Sequence, residues 1–263
     1  MTAEFFKEIL TEPAIKDFGV LRLENGEIDA ECLDLVMGMA QSNRILHIKR
    51  TEIPRDYYHE NACKFYDISY DDARWVRIEN LLTLKDSYTV SLGSNLLTQR
   101  DLNTFIKYWI DSDHDMVASL SSFKSTIAFE TERLFDGIVV LKRRRQASYV
   151  VAANPTKQRK RSILTINWND GKFRLKSWDK DQTFRLWGSF EFKSWASEYK
   201  VLMVLNKKKE LERELEEIQK LLETRQDQNV VKKKNEIERE LQNVSQDVDS
   251  LYLELRDGVY SYI

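Results

Sequence analysis

The chain has 263 residues, enough for one large domain or a smaller domain with an appendage. Its formal net charge of −2 gives global electrostatics no preference for nucleic acid or an anionic membrane. Its two cysteines, Cys32 and Cys63, match no zinc or redox spacing, and such sparse usage suits a reducing intracellular compartment.

Hydrophobic residues at 42% with six Trp, eleven Tyr and twelve Phe suffice for a packed core. The N-terminus, Met1 to Glu8, carries acids where a signal peptide needs an apolar run. No segment approaches the roughly 18 consecutive apolar residues of a membrane span. A soluble chain, cytoplasmic or nuclear, is expected.

Short alternating segments punctuate the first half: Val20–Leu23, Ile45–Ile48, Phe65–Ile68, Thr89–Leu92 and Ala118–Leu120. With Leu21, Leu46, Tyr66, Val90 and Ala118 as equivalent points, the steps are 25, 20, 24 and 28 residues. That range overlaps the period of leucine-rich repeats. Helical patterns fill at least two gaps. Asp29 to Ala40 places Cys32, Leu33, Leu35, Val36 and Met39 behind an Asp29 N-cap. Thr98 to Ile110 places Leu102, Phe105, Ile106, Trp109 and Ile110 on one stripe, with Thr98 as N-cap and Asp101 at the third helical position. The first 125 or so residues thus read as a short, irregular strand–helix solenoid, with an ordinary open α/β sheet as the alternative.

A β-rich cap is expected from about residue 135, with strands at Gly137–Leu141, Ala147–Ala152, Ser162–Trp168 and Lys172–Trp178. The Asp170-Gly171 pair between the last two marks a hairpin. From about Ser189 the pattern is helical. Leu211, Leu215, Ile218 and Leu222 form one heptad-like seam, and Ile237, Leu241, Val244, Val248, Leu251 and Leu255 form another. The seams are out of phase across a polar stretch at Thr224–Asn229. A helical hairpin burying both seams is the favoured reading. A continuous helix would leave its stripe exposed and imply a homodimer through a coiled coil.

Few residues point to chemistry. Asp111, Asp113 and Asp115 alternate like the start of a calcium loop, but such a loop needs Gly at its sixth position and Glu at its twelfth, where Met116 and Ser122 stand. His47, His59 and His114 have no partner at metal-ligand or triad spacing. Two basic clusters, Lys142–Arg145 and Lys157–Arg161, fit three readings: solvated strand ends, a nuclear import signal, or a nucleic-acid or acidic-partner surface. Trp168, Trp178, Trp187 and Trp195 are expected in the core or cap, any exposed one being a candidate interface anchor. No catalytic residue, metal or cofactor is expected, and the partner-binding residues are unassigned.

The segment Ser91 to Ile110, with Asn95-Leu96-Leu97-Thr98 followed by Asp101-Leu102-Asn103, Phe105 and Trp109-Ile110, resembles the signature of nematode F-box proteins that carry a type-2 F-box-associated domain. Ile78–Leu84 with Tyr88–Leu92 resembles the leading helix and strand, Met116–Leu120 the following strand, and Phe173–Trp178 the closing strand of that family. The resemblance implies a structural role for Leu92, Leu102, Phe105, Trp109 and Ile110 in packing, and for Asn95 and Thr98 in the turn and cap. It also implies a protein partner, a degradation substrate of a cullin ubiquitin ligase. An F-box, which in such proteins binds a Skp1-type adaptor, is not recognisable. Phe5, Phe6, Ile9 and Leu10 read as a remnant of its last helix.

The expected organisation is a helical lead over 1–17, a leucine-rich-repeat-like F-box-associated domain with its cap over 18–188, and a helical extension over 189–263. The expected function is non-enzymatic protein interaction in a ubiquitin pathway. The alternatives are a coiled-coil dimerising scaffold and a nucleic-acid or acidic-partner binder using residues 142–161.

Overall fold

A computed structural model describes residues 3–13, 15–123, 130–143, 148–169, 171–185, 192–224 and 228–262. After helix α1 (Ala3–Thr11) come strand β1 (Val20–Glu27), helix α2 (Ala30–Gly38), strands β2 (Ile45–Glu52) and β3 (Asp67–Asp72), helix α3 (Ile78–Leu82) and strand β4 (Ser87–Ser94). Helix α4 (Gln99–Asp111), strand β5 (Val117–Phe123) and the short helix α5 (Thr131–Leu134) follow. Strands β6 (Leu141–Lys142), β7 (Ser148–Ala152), β8 (Ile163–Asn169) and β9 (Lys172–Trp178) lead to a separate small pair, β10 (Phe184–Arg185) and β11 (Phe192–Lys193). Two long helices, α6 (Ala196–Thr224) and α7 (Gln228–Asp249), precede β12 (Leu253–Arg256) and β13 (Val259–Tyr262). Eleven strands form one sheet in the order β1-β2-β3-β4-β5-β9-β8-β7-β6-β13-β12.

The first five strands are parallel and adjacent in chain order. The register aligns Leu21, Leu46, Ile68, Val90 and Leu120 in one row, so the steps are 25, 22, 22 and 30 residues. Tyr66 and Ala118, taken as equivalent points from the sequence, lie two positions before Ile68 and Leu120 on the same face. The third strand begins at Asp67, so Phe65 and Tyr66 precede it. Side chains of one row share a face because successive residues alternate. Leu46, Ile68, Val90 and Leu120 are fully buried under the helices, in a core with Leu33, Leu81, Phe105 and Trp109.

Both predicted helices form with their caps. Asp29 accepts the amide of Cys32 at 2.8 Å. Thr98 Oγ1 accepts the amide of Asp101 at 3.2 Å while the Asp101 carboxylate accepts the amide of Thr98 at 2.6 Å, a reciprocal capping box. Leu102, Phe105, Ile106 and Trp109 are buried and Ile110 partly so, as the stripe requires. At Gly93 an added Cβ would lie 2.1 Å from the carbonyl oxygen of Asp71, and the β4–β5 register shifts there between Leu92 and Ser94. Only glycine allows that approach.

From β5 through β9, β8 and β7 to β6 the pairing is antiparallel. Strands β8 and β9 pair from Ile163↔Trp178 to Asn169↔Lys172 around Gly171, whose φ is 69°, and so form the predicted hairpin; Asp170 and Ala147 lie outside the described residues. The strand expected at Gly137–Leu141 is reduced to Leu141–Lys142, because Gly137 adopts φ 71° and Ile138 donates back to Phe135 in a turn.

The helical pair corrects and extends the sequence reading. The helix does not begin near Ser189: Phe192–Lys193 is a strand and α6 starts at Ala196. Leu211, Ile218 and Ile237 are buried together, with Leu215, Leu222, Leu241 and Val244 packed around them, so the two seams face one another within the chain. Lys207 on α6 reaches Glu240 on α7 at 3.1 Å. Leu251 and Leu255 do not continue the second seam. Helix α7 ends at Asp249, and the chain enters a hairpin turned at Asp257 (φ 49°) and Gly258 (φ 73°). Positive φ at both central residues is the primed turn that suits a right-handed hairpin. Strand β13 then pairs parallel with β6, Tyr260 opposite Leu141 and Ser261 opposite Lys142.

Candidate functional site

Coverage of the sheet is unequal. One face is packed by α1 to α5 along β1–β5, and its core runs on through Leu175, Ile166 and Tyr149. The other face is covered at its far end, where Val201, Leu202 and Leu205 of α6 pack on Leu141, Val150, Ala152 and Ile163. Register places Leu141 and Val150 in the same row as Thr165, Lys176, Ser119, Thr89 and Asp67. Helix α6 therefore ends as a wall, and beyond it β9 and β5 to β1 present polar side chains.

The floor of this open face is made of small hydroxyl residues. Ser69, Ser91 and Ser121 form one row, Thr89 and Ser119 part of the next, all half-buried. His47 sits in the Ser69 row, its Nε2 3.3 Å from Asp67 Oδ1 and its Nδ1 shielded without a hydrogen-bond partner. Cationic side chains flank the hydroxyls: Arg22 and Lys49 from β1 and β2, Arg174 and Lys176 from β9. Three acids on this face are engaged locally: Asp67 by His47, Asp71 by the Arg50 amide at 3.1 Å, and Glu24 by the Arg50 guanidinium at 3.5 Å.

The alternating aspartates at and beyond the end of α4 are answered by the loop between β7 and β8. Asn154 Nδ2 donates to Asp111 at 3.2 Å, Lys157 Nζ to Asp113 at 2.7 Å and the Arg161 amide to Asp115 at 2.9 Å. The ammonium of Lys157 holds the Asp113 carboxyl below its ordinary range. Between these contacts the Arg159 guanidinium lies 3.9 Å above the Trp109 ring with all three nitrogens shielded and unbonded to any acceptor. Burial pulls its pKa down to about 10, Asp115 and Asp111 opposing the shift. Much of the second basic cluster is thus an internal tether. In the first, Arg143 pairs with Glu198 at 3.4 Å and lies over Trp195 and Phe184; Arg144 and Arg145 lie outside the described residues.

The remaining weighed residues are structural in their contacts. His59 Nδ1 accepts the amide of Asn61 at 3.1 Å, and His114 lies against Ser112 and the Leu84 carbonyl. Cys32 and Cys63 are free and buried, and desolvation pushes their thiols up to about 11 and about 12, which disfavours thiolate chemistry. Trp195 is buried against Phe184 and Trp178, Trp168 packs edge-on to Phe173, and Trp187 lies outside the described residues. Among the described residues no cluster of three or more potential metal ligands occurs, and no helix is long and apolar enough to cross a membrane.

The hydroxyl-floored face was not legible as a site beforehand. Its rows depend on register, and the alternation marks it only as the side away from the core. The Asp-rich turn and the basic loop carried a readable signal in their opposite charge and matching alternation.

No curated protein and no solved structure gives a significant match to the chain. A protein-family model does match, over the segment from Tyr57 through the capped α4 helix into β5. Residues 57–121 of this chain match the F-box associated family, a protein-interaction type of domain.

Proposed function

We propose that the chain is a non-enzymatic protein-interaction module, resembling the substrate-recognition part of F-box proteins of cullin ubiquitin ligases, and that the open sheet face receives the partner. The observation that carries this reading is the F-box associated match over residues 57–121, which takes in β3, β4 and most of β5, three of the strands that floor the face. Sequential parallel strands with one face under helices and the other exposed support a leucine-rich-repeat-like array, since parallel sheets in ordinary α/β domains are covered on both faces. The proposed division keeps a helical lead over 1–17, the array with its cap over 18–188 and the helical extension over 189–263, working in the cytoplasm or nucleus. The mutual burial of the two helical seams leaves a coiled-coil homodimer without its expected interface.

The test is affinity purification of the tagged chain from its native cells with mass spectrometry of what co-purifies. Recovery of a Skp1-type adaptor and a cullin supports membership of a ubiquitin ligase. Recovery of other stable partners without them keeps the interaction module and removes the ligase, and recovery of none overturns both.

A further inference from the structure

We infer that the open face binds an extended acidic peptide segment, with the hydroxyl rows as its bed and the flanking cations as its charge clamps. This rests on the interaction reading above and names the chemistry of the partner. Arg22, Lys49 and Arg174 are ion-paired to no carboxylate among the described residues, while Glu24, Asp67 and Asp71 on the same face are each held by a neighbour. The row that runs Arg22, His47, Ser69, Ser91, Ser121 and Arg174 therefore carries two arginines and no carboxylate, on a chain whose formal charge is −2. Charge complementarity selects an acidic partner and sets its register more than its raw affinity.

Geometry favours an extended chain. Four strand spacings separate β2 from β9, about 19 Å at roughly 4.8 Å each, the reach of about six extended residues. Between the two cationic margins stand Ser69, Ser91 and Ser121, side chains short enough for a backbone to approach and able to donate or accept hydrogen bonds. The α6 wall closes one end of this bed, beyond Arg174 and Lys176.

The experiment uses the full chain and a fluorescein-labelled oligoglutamate peptide, read by anisotropy at low and raised salt, with oligolysine of equal length alongside. Saturable, salt-sensitive binding of oligoglutamate is expected, and the double variant Arg22→Gln with Arg174→Gln should weaken it about fivefold to tenfold. Both residues are exposed, and a circular-dichroism melt matching that of the unaltered chain confirms the fold. Lys233→Gln, on the exposed side of α7, should leave binding unchanged. Failure of oligoglutamate to bind, equal binding of oligolysine, or equal loss in Lys233→Gln overturns the inference. If the double variant loses no oligoglutamate affinity but cellular partners still co-purify, the acidic-peptide assignment falls and the interaction module stands.

Discussion

The two halves of the sheet invert the usual relation between strand direction and burial. Parallel strands normally lie buried on both faces and antiparallel ones tolerate water on one side. Here the parallel strands β1–β5 carry helices on one face only, and the antiparallel strands β7 and β8 are enclosed by the α2–α5 core on one side and α6 on the other. The sequence of each half follows its exposure. In β2, Ile45-Leu46-His47-Ile48-Lys49 alternates buried and half-buried positions, whereas every residue of Ser148-Tyr149-Val150-Val151-Ala152 is buried. Exposure, more than strand direction, sets the pattern, and it leaves the polar face on the parallel strands and the adjoining β9.

The contrast can be broken most severely where the halves are joined. Trp109→Ala removes a ring that is 1% exposed and strips the stacking surface from the shielded Arg159 guanidinium. A loss of about 3–5 kcal/mol is expected, measured by urea unfolding. A pair of variants on one sheet face then sharpens the comparison. Leu141→Ala, beneath α6, should cost about 2–5 kcal/mol, and Ser69→Ala, on the open stretch, should stay within about 0.5 kcal/mol. Equal costs would mean that the open stretch is covered in solution. A smaller effect than either core deletion belongs to the cap of α4: Thr98→Ala deletes the acceptor of the Asp101 amide and should cost about 1 kcal/mol in the same unfolding assay.

What could be read beforehand was whatever depends on neighbours in sequence. The α4 helix with Thr98 and Asp101, the α2 helix with Asp29, and the hairpin around Gly171 follow from local capping, periodicity and turn chemistry. The two-residue displacement at Tyr66 and Ala118 arose because alternation fixes a face but not a register. The terminal hairpin was concealed by Leu251 and Leu255, whose spacing prolongs the heptads of Val244 and Val248. Asp257-Gly258, flanked by Leu-Glu-Leu-Arg and Val-Tyr-Ser-Tyr, was the local signal that outweighed them. The open face was the least legible, because it exists only through where α6 stops, and that is a packing outcome spread over both halves.

Strand β13 has a further consequence, for the order of folding. It lies inside the sheet between β6 and β12, pairing residue 260 with residue 141 across everything from β7 to α7. Contacts so distant in sequence form late, since the entropy of closing the intervening loop must be met before the pairing rewards it. The edge of β6 therefore waits, unpaired, while α6 and α7 find each other, and amide protection in refolding should reach Tyr260 and Ser261 after it has reached the β8–β9 hairpin. The helical pair then acts as a splint that brings the last strand to its slot.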